Sequence, residues 1–393
     1  MIIELIIALI VGVIAGTFTG LIPGVHINLV IVFLSSVVGY NLNIPTIVLT
    51  AFVVSLSITH NFLDFIPGIF LGCPDEDSAL SVLPGHQMLK EGKGYEAVIH
   101  SLKGCLTGLV LAVLITPVFI FILPKVYRII SSYMFLILSI ISLFLIISDK
   151  NKFLAFLIFM FSGFLGVASM NLPIQQPLLP LLTGLFGCST LITSISKKIE
   201  IPKQEISKPE PKKNIRTTLA SIFVSPLCSF LPGLGSNQAA IISCEFLKKI
   251  EKQDFLFLIG SINIITMSLS FVTLYAIDKA RTGSAVFIGQ LTPLSPKLLL
   301  VILSVVLISG ILASFSTLFF AKLFAKNITK FSYTKISAAI LIFIFIIVLI
   351  ISKPLGILVL ISSTLLGITA IQLNVRRTQL MGCLILPAIF FVF

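Results

Sequence analysis

Charged residues are scarce in this sequence: Asp, Glu, Lys and Arg make up only 11% of the 393 residues, whereas hydrophobic residues make up 57%. A soluble domain carries about a quarter charged residues. No aqueous core accommodates so much apolar sequence, and apolar segments near the spanning length of about twenty residues recur from end to end. The sequence therefore predicts an all-α integral membrane protein that crosses the cell membrane several times.

The sequence also lacks the motifs of common enzymes and of ATP-driven pumps. It contains no H-E-x-x-H, no G-x-S-x-G and no nucleotide-binding G-x-x-x-x-G-K-[ST]. The six cysteines form no C-x-x-C pair, so we expect no metal site, no disulfide framework and no cofactor. The net charge of +12 is usual for a membrane protein with basic loops, and nucleic acid explains it poorly.

One polar stretch, residues 194–216, interrupts the apolar pattern with seven Lys or Arg, three Glu and three Pro. We interpret it as a linker, and the positive-inside rule predicts that it lies in the cytoplasm. It separates a first transmembrane repeat, residues 1–193, from a second transmembrane repeat, residues 217–393.

The two parts of the chain resemble each other. Residues 22–28 (IPGVHIN) match residues 231–237 (LPGLGSN) at an offset of 209, and residues 164–168 (FLGVA) match residues 365–369 (LLGIT) at an offset of 201. Two matches in one order and at similar spacing predict two tandem related repeats. Such repeats are often inverted in secondary transporters, and an odd number of crossings per half would make them so here. We expect inverted repeats with broken or re-entrant helices at the centre.

Each repeat has a Pro-Gly pair inside its first hydrophobic unit, Pro23-Gly24 and Pro232-Gly233. Proline lacks an N–H and glycine permits positive φ, so each pair ends a helix. In a membrane the freed backbone groups need partners, and the helix that restarts favours an anion at its N-terminus. The residues beyond the breaks that we expect to contact a substrate are His26, Asn28, Gly235, Ser236 and Asn237. The alternative is a pair of packing kinks whose polar residues satisfy the backbone.

Three charged residues lie near apolar segments. Asp64 is a candidate for a proton or a coupling cation, because a charge at membrane depth is costly and usually functional. The alternative for Asp64 is an interfacial cap of a short helix. Asp278 occupies the comparable region of the second half and is the other coupling-ion candidate. Arg281 would clamp a carboxylate or phosphate with its planar fork, unless it is a loop charge or an ion-pair partner of Asp278.

With these residues in view, the chain resembles the large permease subunit (TctA) of tripartite tricarboxylate transporters, in its shorter archaeal form. The resemblance rests on five segments in order, residues 20–24 (GLIPG), 67–72 (PGIFLG), 83–97 (LPGHQMLKEGKGYEA), 183–187 (TGLFG) and 231–237 (LPGLGSN). It implies a permease for citrate-like anions that works with an external binding protein and a small membrane subunit. The sequence departs from the family pattern at Pro84-Gly85-His86, in place of Asp-Gly-Tyr, and in the reduced segment 276–283.

Three functions are compatible with these features. We predict a secondary transporter of an anionic substrate, a carboxylate such as a di- or tricarboxylate, that works by ion-coupled alternating access. The first alternative is a polyprenyl-phosphate translocase, because a lipid phosphate is also an anion that broken-helix N-termini would hold. The second is a non-transporting membrane scaffold subunit, which needs no internal polar site. Membrane lipids are expected partners, and a homodimer is left open.

Overall fold

The computed structural model describes residues 2–22, 27, 30–31, 34, 44–72, 82–196, 201–207, 214–231, 235–247, 250–330 and 332–391. Regular structure in these residues is helical throughout, which confirms the all-α prediction. In chain order the helices are α1 (Ile2–Leu21), α2 (Thr46–Leu63), α3 (Phe65–Leu71), α4 (Val82–Lys90), α5 (Gly94–Ser131), α6 (Met134–Ile147), α7 (Lys152–Asn171), α8 (Leu178–Leu182), α9 (Ser189–Ser196), α10 (Ile215–Cys228), α11 (Ser236–Leu247), α12 (Lys252–Ile277), α13 (Gly283–Leu291), α14 (Pro296–Asn327), α15 (Tyr333–Gln372) and α16 (Gly382–Phe391). A π-helical turn, Thr183–Cys188, joins α8 to α9, and a 3₁₀ segment, Arg377–Met381, precedes α16.

Seven helical stretches in the described part of the chain are long and apolar enough to cross a membrane. They are α1, the continuous pair α2–α3, α5, α7, α12, α14 with the turn that follows it, and α15. The shorter apolar helices include α6 and α10. Length and composition therefore support a multi-pass integral membrane protein.

Two of the seven stretches form the centre of the protein. The most apolar windows of α12 and of α2–α3 are 94% and 78% buried, against at most 44% for the other five. Both helices carry buried polar side chains, which are Thr50, Ser55, Ser57, Thr59, His60 and Asn61 on α2 and Ser261, Asn263, Thr266, Ser268, Ser270 and Thr273 on α12. Polar groups at this depth are costly when they face lipid, so their location between helices is the expected one.

Glycines allow α5 and α12 to approach closely. A Cβ atom on Gly104 would lie 2.0 Å from the carbonyl oxygen of Phe257, and one on Gly260 would lie 2.4 Å from that of Ser101. Gly104 and Gly108 form a G-x-x-x-G pattern, which permits backbone contact between membrane helices. Because α5 precedes the linker and α12 follows it, this contact joins the two predicted repeats.

Gly166 and Gly367, which lie in the matching segments 164–168 and 365–369, each pack against a backbone carbonyl of the other half. A Cβ on Gly166 in α7 would lie 2.1 Å from the carbonyl oxygen of Cys383 in α16. A Cβ on Gly367 in α15 would lie 2.3 Å from that of Leu185 in the π-helical turn. A pseudo-two-fold relation between the halves would produce such a pair of contacts. The repeat boundaries and the inversion stay predictions.

The described part of the linker docks on the first half through Gln204. Its Nε2 donates to the carbonyl oxygens of Leu89, at 2.9 Å, and Pro202, at 2.7 Å. Its Oε1 accepts from the backbone N–H of Gly94 at 2.8 Å. The Gln204 side chain is buried, so residues 201–207 are fastened where α5 begins.

We expect Gln204→Ala to release this part of the linker. The three lost hydrogen bonds contribute about 1 kcal/mol each, so tryptic cleavage near Lys203 should be about 100-fold faster. Glu205→Gln is the control, because it changes an exposed side chain and keeps every tryptic site. Lys203→Gln would not serve, because it removes a tryptic site. Equal cleavage rates for Gln204→Ala and the unchanged protein would show that Gln204 does not hold the linker.

Candidate functional site

Six of the predicted substrate residues, Pro23, Gly24, His26, Asn28, Pro232 and Gly233, lie outside the described residues. Asn237 lies in the first turn of α11, and its side chain is likewise outside the description. Gly235, Ser236, Arg281, Asp64 and Asp278 are described. The site is therefore built from the second Pro-Gly break and the central helices.

The chain resumes a helix directly after the second break. The backbone N–H of Ala239 donates to the Gly235 carbonyl at 3.1 Å, and this begins α11. The first N–H groups of a helix have no partner within the helix. Ser236 is buried, and its Oγ donates to Oδ1 of Asn263 at 3.4 Å. The start of α11 therefore lies against the middle of the most buried membrane helix, α12.

Asn263 is the residue that the sequence analysis missed. It is 1% exposed, and its Nδ2 has no acceptor among the described residues. Thr266 Oγ1 and Ser268 Oγ, further along α12, also lack a partner within the described chain. An unsatisfied buried amide costs free energy that a ligand or a water can recover. Asn263 thus presents a donor to an acceptor that the described residues do not supply.

The first half has a similar amide on its own central helix. Asn61 in α2 is 1% exposed, and its Nδ2 also lacks an acceptor in the described part of the chain. Asn61 and Asn263 are 202 residues apart, an offset between the two that aligned the halves. That spacing is the signal by which the sequence could have revealed the pair.

Asp64 lies at the junction of α2 and α3, three residues after Asn61. It has helical dihedral angles, is 2% exposed and makes no side-chain capping bond to α3. The alternative of an interfacial cap therefore finds no support. The charge of the Asp64 carboxylate acts on the thiol of Cys105 in α5. Cys105 in turn lies against α12, because its backbone nitrogen would be 3.3 Å from a Cβ atom on Gly260. Asp64 thus lies on the inner side of α2–α3.

Arg281 lies beside the second break. Its Nη1 donates to the carbonyl oxygen of Cys228, the last residue of α10, which precedes Pro232 by four positions. Asp278 ends α12 in the left-handed conformation, with φ of 53°, and is exposed. No ion pair joins Asp278 to Arg281, although both side chains belong to the described part of the chain. The structure brings Arg281 to the end of α10, which precedes the second break in the chain, and leaves Asp278 at the end of α12.

A second half-buried arginine, Arg377, bonds to the π-helical turn and the start of α9. Arg377 donates to the carbonyl oxygens of Leu185 and Phe186, at 3.1 and 2.6 Å, and to the hydroxyls of Ser189 and Thr190, at 3.1 and 2.7 Å. These bonds cap the carbonyls of the π-helical turn. Arg377 is therefore a structural residue, and Arg281 remains the cation next to the candidate site.

His86, where the sequence departs from the family pattern, is buried in α4. Burial, with a smaller contribution from the charge of Lys90, lowers the pKa of His86 to about 4, against the opposing effect of a bond to the Ile69 carbonyl. Nδ1 lies 3.3 Å from that carbonyl oxygen. His86 is neutral at physiological pH and connects α4 to α3.

The geometry defines a class of protein: a multi-pass helical membrane protein with a broken-helix polar centre, as in secondary transporters. The family model described as the tripartite tricarboxylate transporter TctA family matches residues 6–382. The chain belongs to this family, which confirms the resemblance seen in the sequence. It is a transporter permease family and not an enzyme family.

The chain is also similar to an uncharacterized archaeal protein, MJ1079 of Methanocaldococcus jannaschii. The two are 29% identical over 385 residues, which cover 94% of each chain. No solved structure matches the chain significantly.

Proposed function

We propose that this protein is the permease that carries a carboxylate anion across the membrane by ion-coupled alternating access. The contact between Ser236 and Asn263 is the observation that carries the proposal. It joins the N-terminus of a broken helix to a buried amide that lacks an acceptor among the described residues. A carboxylate would accept bonds from Asn263 Nδ2 and from the first N–H groups of α11.

The remaining predicted residues have distinct roles in this proposal. Arg281 attracts the anion to the second break, where it already bonds α10. Asn61 and the first Pro-Gly segment supply the donors of the first half. Asp64 is the group that binds the coupling proton or cation, because it is the more buried of the two candidate carboxylates. An external binding protein and a small membrane subunit would act with the permease.

The location of Asn263 favours a soluble carboxylate over a lipid phosphate. Asn263 is 1% exposed, α5, α10 and α11 pack on α12, and 94% of the apolar window of α12 is buried. A lipid headgroup that enters sideways would need an opening that reaches Asn263, and the surface cavity between α5, α10 and α12 is lined by Phe257 of α12 but not by Asn263. A scaffold subunit would need no unsatisfied amide at its centre.

Uptake into proteoliposomes tests the proposed function. The purified chain should accumulate a radiolabelled di- or tricarboxylate, such as citrate or succinate, when a proton or a sodium gradient is imposed. Asn237→Ala should abolish the accumulation, because it removes an amide from the first turn of α11. Absence of uptake for the whole panel under both gradients would overturn the proposal. Native mass spectrometry that finds a co-purified polyprenyl phosphate would support the translocase instead.

A further inference from the structure

A second polar site lies away from the candidate substrate site, in a cavity of about 610 Å³ that is open to the surface. It lies between α5, α10 and α12. Lys103, Thr107 and Thr218 contribute polar groups to its wall, and Leu106, Leu219 and Phe257 contribute apolar ones. The cavity is thus amphipathic, and it joins a helix of the first half to two helices of the second.

The cavity is located where the membrane-embedded part of these helices begins. Lys103 is followed directly by the uncharged residues 104–123, and Thr218 by the uncharged residues 219–231. The turn between α4 and α5 is joined to the start of α12 by an ion pair between Glu91 and Lys252, with Nζ and Oε1 2.6 Å apart. The polar wall therefore lies near the level of lipid headgroups, and the apolar wall extends toward the hydrocarbon.

Lys103 supplies a positive charge to the wall of the cavity. No carboxylate in the described part of the chain forms an ion pair with it, and its charge acts on the neighbouring His100. Asn214, at the start of α10, also lines the cavity. Its side chain makes no capping bond to the first N–H groups of α10. The uncapped start of α10 adds to the attraction that Lys103 exerts on an anion.

We propose that this cavity binds an anionic phospholipid, with the phosphate against Lys103 and an acyl chain along Leu106 and Leu219. The phosphate would accept a charge-assisted bond from the ammonium group and a bond from the Thr218 hydroxyl, whereas the Thr107 hydroxyl donates to the Lys103 carbonyl at 2.8 Å. The acyl chain would cover apolar wall that is otherwise open. The proposal does not depend on which substrate is transported.

Native mass spectrometry of the purified full chain, titrated with dioleoylphosphatidylglycerol or dioleoylphosphatidylcholine, tests this site. We expect tighter binding of the anionic lipid, and about tenfold weaker binding of it by Lys103→Gln. Lys322→Gln, which removes an exposed lysine from α14, should bind as the unchanged protein does. Leu219→Trp, which fills the apolar part of the cavity without changing charge, should also bind the lipid more weakly. Melting temperatures would establish that each variant is folded.

Two results would overturn the proposal. One is equal binding of phosphatidylglycerol by the unchanged protein, Lys103→Gln and Leu219→Trp. The other is displacement of the lipid from the Lys103 site by millimolar inorganic phosphate together with unchanged lipid binding in Leu219→Trp, which would make this a site for a free anion.

Discussion

Asn263→Leu is expected to weaken carboxylate binding and uptake by about 10- to 100-fold, because a hydrogen bond to a charged group contributes about 1.5–3 kcal/mol. Leucine is similar in size to asparagine but has no donor. The variant therefore removes the Nδ2 group while it keeps the packing of α12. Isothermal titration calorimetry and proteoliposome uptake would measure the two losses.

The same variant should leave the melting temperature of the ligand-free protein unchanged or slightly higher. Removal of Nδ2, which lacks an acceptor among the described residues, relieves a buried unsatisfied group, and this gain offsets the loss of the bond that Ser236 Oγ donates to Oδ1, about 1 kcal/mol. A structural asparagine would behave in the opposite way, since its loss would lower the melting temperature. Reduced stability together with normal uptake would contradict the role that we assign to Asn263.

Asn171→Leu is the matched control. Asn171 ends α7, is exposed, and donates from Nδ2 to the Val167 carbonyl at 2.8 Å. The chemical change is the same as in Asn263→Leu. The Asn171 amide, however, is distant along the chain from the polar side chains of α12, and it already has a hydrogen-bond acceptor. A double variant, Asn61→Leu with Asn263→Leu, adds a further test. If both amides hold one carboxylate, the combined loss will differ from the sum of the single losses.

The fold class was predictable because composition and hydropathy determine where an apolar helix can exist in a membrane. The ordered Pro-Gly and Gly-containing segments were sufficient to predict the family. Asn263 was not predicted, since it lies between Ile262 and Ile264 and belongs to no motif. Its importance arises from burial, and burial depends on how closely α5 and α10 pack on α12. That spacing is a property of the assembled helices.

Asp278 and Arg281 illustrate the same limit on a smaller scale. Both come from one polar loop, and the sequence assigned them to one region of the site. Asp278 adopts the left-handed conformation that ends α12 and stays exposed, whereas Arg281 reaches the end of α10. The direction of the chain after a helix end decides this difference, and residue identity alone does not determine it.

Gly104→Ala is expected to cause the largest loss of stability among single substitutions of small residues in α5. The new Cβ would lie 2.0 Å from the Phe257 carbonyl oxygen and 3.0 Å from the Ser261 backbone nitrogen. Both atoms belong to the backbone of α12, so no side chain can rotate away, and the two helices must separate. Overpacking of this kind costs about 1–3 kcal/mol, which is a large fraction of a typical net stability. Thermal unfolding of the purified protein would measure the decrease.

Gly187→Ala is the control for this prediction, because its Cβ would meet only a Thr183 methyl group at 3.6 Å, an ordinary contact. Its stability should change little, since alanine favours a helix over glycine. Separation of α5 from α12 would also displace Asn263, so Gly104→Ala should weaken carboxylate binding as well, in contrast to Asn263→Leu, which should weaken binding alone. A melting temperature for Gly104→Ala equal to that of Gly187→Ala would mean that close backbone contact between the halves does not hold the central helix in place.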